Sequence, residues 1–254
     1  SMLWAYQDAA APPAAEAAAQ APAETAPADP FEGPDGTPDE LVEYLIGLQQ
    51  YQPQIRTMQE YYLFMQKRAK AQLQAADKII ASEKKLTEQQ AGIAFQTKIM
   101  ALSMLAQMND QDAAKEIEKL PEQLEKSGQK ELIRPAKALV LNLKLRNALE
   151  EGTAEAFNKV KSEIIDFIKQ AKDQLGNDDL TLAYGLSQVS EMIAEDTGDM
   201  KLAAQTNEEV GKLLKESGDE RAADLGDKLE AAARRFNLIG NPIEVKGFTA
   251  AGEP

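Results

Sequence analysis

Along most of the chain the apolar residues return at steps of three and four, the spacing that lines them on one face of an α-helix. The stretch from Thr153 to Gly198 shows it most plainly. Phe157, Val160, Ile164, Ile168, Ala171 and Leu175 form one stripe, and Leu182, Leu186, Val189 and Ile193 form a second. Thr153 stands where an N-cap belongs, and Gly176 and Gly198 stand where the two helices should end. The stretch therefore predicts an antiparallel helical hairpin closed by a Gly-Asn-Asp-Asp turn.

The same pattern predicts helices on both sides. Thr37-Pro38-Asp39-Glu40 joins a capping residue, a proline at the first helical position and a capping-box glutamate, so a short helix should run to about Gln50 with Leu41, Tyr44, Leu45 and Leu48 on its face. Pro53 is expected to open a long helix to Ser82, with Ile55, Met58, Tyr62, Met65, Ala69, Ala76 and Ile80 inward. Its antiparallel partner starts at the capping box Thr87-Glu88-Gln89-Gln90 and carries Ala91, Phe95, Leu102 and Leu105. Asn109-Asp110 caps a helix expected to bend or restart at Pro121. The next, from about Gln129 to Glu150, turns Leu132, Ala136, Leu139 and Leu143 inward. A last pair carries Ala203, Val210 and Leu213, then Ala222, Leu225, Leu229, Ala232 and Phe236.

Gly128, Gly152, Gly176, Gly198, Gly218 and Gly240 recur about every 20 to 24 residues, the beat of a helical repeat array. The expected fold is all-α: about nine helices, stacked as antiparallel hairpins in an α-solenoid, over residues 37–239. The units resemble tetratricopeptide repeats in their length and in the small pairs Ala203-Ala204 and Ala222-Ala223, although none carries the full Trp-Leu-Gly-Tyr-Ala-Phe-Ala-Pro pattern. That resemblance implies a right-handed stack. The alternative is an irregular bundle, which differs in bringing distant helices into contact.

Residues 1–36 depart from the pattern, being mostly Ala, Pro and acidic residues with no basic side chain before Arg56. Such a segment buries too little apolar surface to offset its ordering entropy, so it is expected to be a disordered linker. Leu3-Trp4-Ala5-Tyr6 is its exception, two aromatics beside a leucine that suit docking in a groove. Ser1-Met2 has the look of a cloning remnant, which leaves room for a removed targeting segment.

Composition narrows the chemistry. The 254 residues are 43% hydrophobic, enough for a substantial core. The 28 basic residues against 42 acidic ones give a net charge of -14, a field that repels nucleic acid and anionic lipid. Cys and His are both absent, which removes disulfides, thiol catalysis, the commonest general base and most transition-metal sites. No apolar run reaches the roughly 18 residues that suggest a membrane span.

The remaining candidates each have a plain structural reading. Asp178 and Asp179 form a carboxylate pair able to hold a metal or act as acid and base, but in a turn before a helix they are expected to cap it. Asn109-Asp110-Gln111-Asp112 resembles the opening of a calcium loop, yet Ala114 stands where the sharp turn needs Gly. Met100, Met104 and Met108 form a stripe expected to be core. Tyr61 and Phe64 lie off the inward register of Tyr62, which suits a groove or packing on the first helix. Arg134, Lys137, Lys144 and Arg146 make the most basic patch, suited to an acidic peptide or to the array's own neighbouring helix. Lys161, Lys169 and Tyr184 point outward from the opening hairpin. Tyr61, Phe64, Arg134, Lys137, Lys144 and Tyr184 are thus the partner-binding candidates, and no catalytic, cofactor or metal residue is expected. No particular carboxylate pair points to hydrolysis, and a coiled coil built on Pro53 to Ser82 remains the alternative role.

Residues 240–254 abandon the helical period. Gly240-Asn241-Pro242, the alternating Ile243, Val245 and Phe248, and Gly247-Phe248-Thr249-Ala250-Ala251-Gly252-Glu253-Pro254 resemble the entry to the thioredoxin-like domain of bacterial envelope redoxins of the TlpA and ResA type, where a Gly-x-Pro, a strand and a Gly-x-Thr-x-x-Gly-x-Pro turn precede the first core strand. The resemblance implies a redox domain beyond Pro254 carrying a Cys-x-x-Cys site, and export to the periplasm or cell envelope. It also implies that this chain is a non-catalytic interaction or spacer region serving a protein partner or that redox domain. None of the family's active-site positions falls within the chain.

Overall fold

The computed structural model describes residues 29–239, apart from 84 and 172–174, and these form nine α-helices with no strand among them. Three open on reciprocal capping boxes. Thr37 begins α1 (Pro38–Gln50), Thr57 begins α2 (Met58–Ile80) and Thr87 begins α3 (Glu88–Gln107); in each the hydroxyl accepts the N3 amide and the N3 side chain accepts the cap amide. Then follow α4 (Gln111–Ser127), α5 (Lys130–Glu151), α6 (Ala154–Ala171), α7 (Asn177–Thr197), α8 (Met200–Lys215) and α9 (Glu220–Leu238). Gly128, Gly152 and Gly198 end α4, α5 and α7 with φ between 68° and 78°, a conformation that penalises a Cβ.

Four expectations are corrected. The long helix starts at Met58, not at Pro53, because the Thr57-Glu60 pair satisfies the first amides four residues later. Its first turns lack a partner: Ile55, Met58 and Tyr62 are exposed, Tyr62 at 57%, and burial on α2 begins at Ala69. Gly176 caps the start of α7, not the end of α6, so Asn177, Asp178 and Asp179 belong to the first helical turn. α4 runs without restart through Pro121, because Ile117, Leu120 and Leu124 on either side of it are wholly buried. Three such burials at roughly 1.5–3 kcal/mol each outweigh the roughly 3 kcal/mol an interior proline costs.

The helices pair as α2/α3, α4/α5, α6/α7 and α8/α9, with α1 laid on the first pair. Every helix touches only those one or two places along the chain, which is the contact pattern of a linear stack and not of a bundle. The odd-numbered helices form an unbroken row in which α1, α3, α5, α7 and α9 each meet the next, whereas in the even row only α6 and α8 touch. Three apolar clusters follow each other along the stack. The first joins Leu41 and Leu45 to Ile79, the second surrounds Leu102, Ile117 and Leu143, and the third runs from Ala138 through Phe157 and Ile164 to Leu229. The α8/α9 contact is the closest, with Gly211 and Gly226 face to face: a Cβ on either would lie within 3.0 Å of the other's carbonyl oxygen.

Residues 29–36, read as part of the linker, lie against α1 and α2. Tyr44 donates its hydroxyl hydrogen to Pro30 O, Lys78 pairs with Asp35 at 2.7 Å, and Phe31 packs edge-on against Tyr51 and Phe64. Residues 1–28 and the redoxin-like segment 240–254 lie outside the described residues.

Candidate functional site

The row of odd helices carries a surface unlike the rest of this acidic protein. On α3 the exposed and half-buried positions Gln96, Met100, Ser103 and Gln107 recur at helical spacing, and after Glu88 the only charged residue of the helix is Lys98. Lys98 is buried, its ammonium 2.7 Å from Asp77 and 3.9 Å from Glu116, where it ties α2, α3 and α4 together. On α7, packed on most of its circumference, Thr181, Tyr184, Gln188 and Met192 form a narrow uncharged stripe, with the Gln188 amide donating to the Tyr184 hydroxyl at 2.9 Å. Between them α5 contributes Leu139, Asn142 and Arg146. Gly185 lets α7 approach α5, since its Cβ position is only 3.2 Å from the Leu145 side chain.

These helices enclose a depression of about 320 Å³ lined by Ser103 and Gln107 of α3, Leu139, Asn142 and Arg146 of α5, and Thr181 of α7. Arg146 is its one charge. One guanidinium nitrogen donates to Ala106 O at 2.6 Å, Glu150 lies 3.9 Å from Nε, and Nε has no hydrogen-bond partner among the described residues. The even helices present the opposite character: α4 alone carries ion pairs between Asp112 and Lys115, Glu116 and Lys119, and Glu122 and Lys126 on its solvated face. There the neighbouring ammonium groups hold Glu116 and Glu122 below the usual carboxylate range.

The residues singled out from sequence do not gather into one site. Arg134 crosses from α5 to bond the Asp179 carboxylate and, at 3.1 Å, Phe167 O, with its guanidinium 4.0 Å above the Phe167 ring. Lys144 reaches Glu163 on α6 at 2.5 Å, and Lys137 lies 3.9 Å from Glu125 on α4. The basic patch is therefore taken up by the array's own neighbouring helices. Phe64 closes an aromatic cluster with Phe31 and with Tyr51, just past α1, whereas Tyr61 is exposed beside Tyr62. Tyr184 is half-exposed on the α7 stripe, while Lys161 is drawn to Glu209 on α8 at 3.1 Å.

Asp179 is 1% exposed, and its second oxygen accepts the Gly176 amide at 2.8 Å. It caps α7 and anchors Arg134. Asp110 likewise caps α4, accepting the amides of Asp112 and Ala113. Among the described residues no three acidic side chains are placed to hold a metal ion. The methionine stripe, read as core, is open to solvent at Met100. Sequence reading missed the uncharged strip because it sought residues with chemistry. The signal was an absence: Gln89 to Gln107 holds one charge in a chain that is 28% charged.

No protein-family model, curated protein or solved structure matches the chain. No helix of the described residues is long and apolar enough to cross a membrane.

Proposed function

We propose that this chain is a non-catalytic protein-interaction domain whose charge-poor strip over α3, α5 and α7 takes a segment of a partner polypeptide. The observation that carries the reading is the depression shared by three successive hairpins, where Ser103, Gln107, Asn142 and Thr181 stand beside apolar Ile117, Leu139 and Leu143 with Arg146 as the one charge, on a protein of net charge -14. Gln107, Asn142, Ser103 and Thr181 offer donors and acceptors at the spacing of helices, which suits peptide groups better than a charged ligand. The protein's field disfavours acidic segments, so the fitting partner is neutral or basic.

An array of synthetic peptides tests this. Neutral or basic sequences should bind and shift the backbone amide resonances of Thr181, Tyr184 and Gln188, and Tyr184→Asp should weaken them at least about tenfold, the loss of about 1.4 kcal/mol. A panel without binders, or binders that leave those resonances unmoved, would overturn the reading. Thiol-disulfide turnover by this chain alone would overturn its non-catalytic part.

The resemblance of residues 240–254 to a redoxin entry supports a place for the domain ahead of a thioredoxin-like domain in an exported protein. Tetratricopeptide-like repeats commonly serve such a role as spacers or receptors, and the neighbour-only packing fits it. A coding sequence that continues past Pro254 into Cys-x-x-Cys within some tens of residues would support this placement, and its absence would remove it. The oligomerising alternative draws on the bare first turns of α2; a monomer by light scattering argues against it.

A further inference from the structure

The described surface gathers its apolar residues at one end. Of the twelve large hydrophobic side chains exposed among the described residues, seven fall between Ile46 and Leu63. Four of these, Met58, Tyr61, Tyr62 and Leu63, stand on the first two turns of α2, and every residue from Gln54 to Leu63 is exposed. At about 100° per residue those four spread over roughly 200° of the helix, about twice the arc that one packing surface covers. A flat groove leaves half of such an arc in water. A medium that surrounds the helix end does not.

Positive charge collects at the same end. Residues 51–71 hold Arg56, Lys67, Arg68 and Lys70 against the single acid Glu60, whose carboxylate is turned back onto the amides of Arg56 and Thr57. Asp29 lies 4.0 Å from Lys67, which still leaves a positive surplus here on a protein of net charge -14. Arg68 stands two turns behind Tyr61 and Lys70 two turns behind Leu63, each on the same side of the helix and about 10 Å farther along it. An interfacial helix buries its apolar side chains about 5–10 Å into the boundary between headgroups and acyl chains, so at this spacing the cations lie level with the phosphates. Tyrosine suits that boundary, its ring apolar and its hydroxyl wet.

The acidic surplus lies elsewhere. Residues 153–239 carry 18 acidic against 11 basic side chains. They form α6 to α9, about 20 Å or more along the stack, and a Debye length of about 8 Å screens them from a surface at the α2 end. The repulsion of anionic lipid expected from net charge is therefore reversed locally. A second copy fits this end less well, since a two-fold contact sets Arg56, Arg68 and Lys70 against their own equivalents.

We propose that the loop before α2 and the first two turns of that helix form a lipid-docking tip, which seats Ile55, Met58, Tyr61, Tyr62 and Leu63 in the interface of a bilayer containing anionic phospholipid. The tip shares no residue with the strip on α3, α5 and α7.

Because the chain has no cysteine, one label can be placed at will. Leu63→Cys carrying a polarity-sensitive dye should shift to the blue with vesicles of phosphatidylcholine and phosphatidylglycerol, and Tyr184→Cys with the same dye should not. The unlabelled chain should float with those vesicles, bind vesicles of phosphatidylcholine alone several-fold more weakly, and release as salt is raised. Met58→Ser with Tyr62→Ser, both at exposed positions, should abolish flotation and leave the melting temperature unchanged. Arg56→Glu with Lys70→Glu should remove the preference for the anionic vesicles. Absence of flotation, flotation indifferent to either pair of substitutions, or a dye shift produced by a soluble acidic peptide or by protein concentration alone instead of by vesicles would each overturn it.

Discussion

Single residues of this protein fall into those that fill the stack and those that tie its hairpins together. Ile164 is wholly buried in the largest apolar cluster, so Ile164→Asp should cost several kcal/mol and lower the melting temperature by roughly ten degrees; an unchanged transition would refute the assigned face. The Arg134-Asp179 pair differs, because one partner is buried and the other about a third exposed. Arg134→Ala should destabilise by about 2–3 kcal/mol in urea, less than for a fully buried pair, and Asp179→Asn alongside it should recover part of the loss. Equal stability of Arg134→Ala and the wild type would show the pair to be idle. Thr206 is wholly buried in α8, and its hydroxyl has no partner among the described residues. Thr206→Val keeps the shape and removes the unpaired group, so it should raise stability by about 1 kcal/mol, and a lower melting temperature would disprove this.

Pairs of helices are held by different means. In α2/α3 and α3/α4 the buried Lys98 adds a charged link to apolar contacts, whereas α8/α9 relies on backbone approach. Gly211→Ala would bring a Cβ against Gly226 O and Gly226→Ala one against Gly211 O, at 2.9 and 2.7 Å. Backbone cannot yield as a side chain does, so each should destabilise by about 1–3 kcal/mol and loosen α9 first. Amide exchange compared with the wild type checks it: faster exchange confined to α8 and α9 is the expected result, and exchange unchanged there would rule it out. The close contact was not legible from the alanine pairs. Ala203, Ala204 and Ala222 are indeed buried, but glycines inside helices read locally as weak points, and only the neighbouring helix explains them.

At the scale of the molecule, titration follows from composition. Asp35 beside Lys78, Glu116 beside Lys119, Glu122 beside Lys126 and Asp219, which accepts the Ala222 amide, are all held below their ordinary values. Groups depressed in the folded state add stability above their unfolded values and lose it as pH falls through the folded ones. Lys119, Lys212 and Lys215, raised by carboxylate partners, add stability below 10.5 and lose it as pH rises beyond. With no His and no Cys side chain, stability should be flat from about pH 5 to 9 and fall on either side. A transition centred between pH 6 and 7 in a melting series would contradict this.

Periodicity and caps made the elements legible, because helical spacing and Thr-x-x-Glu boxes are local facts. Six of the seven helices whose start those signals gave begin within about three residues of it, α2 being the exception. What the stripe on α2 could not reveal is whether another helix stands opposite it: Ala69 onward meets α1 and α3, while Met58 and Tyr62, in the same register, meet solvent. Nor could charge along the chain tell a solvated patch from one spent between hairpins, as Arg134, Lys144 and Arg146 are. A residue's spacing sets its direction from its own helix axis; what lies in that direction depends on helices tens of residues away, and only their stacking in space decided it.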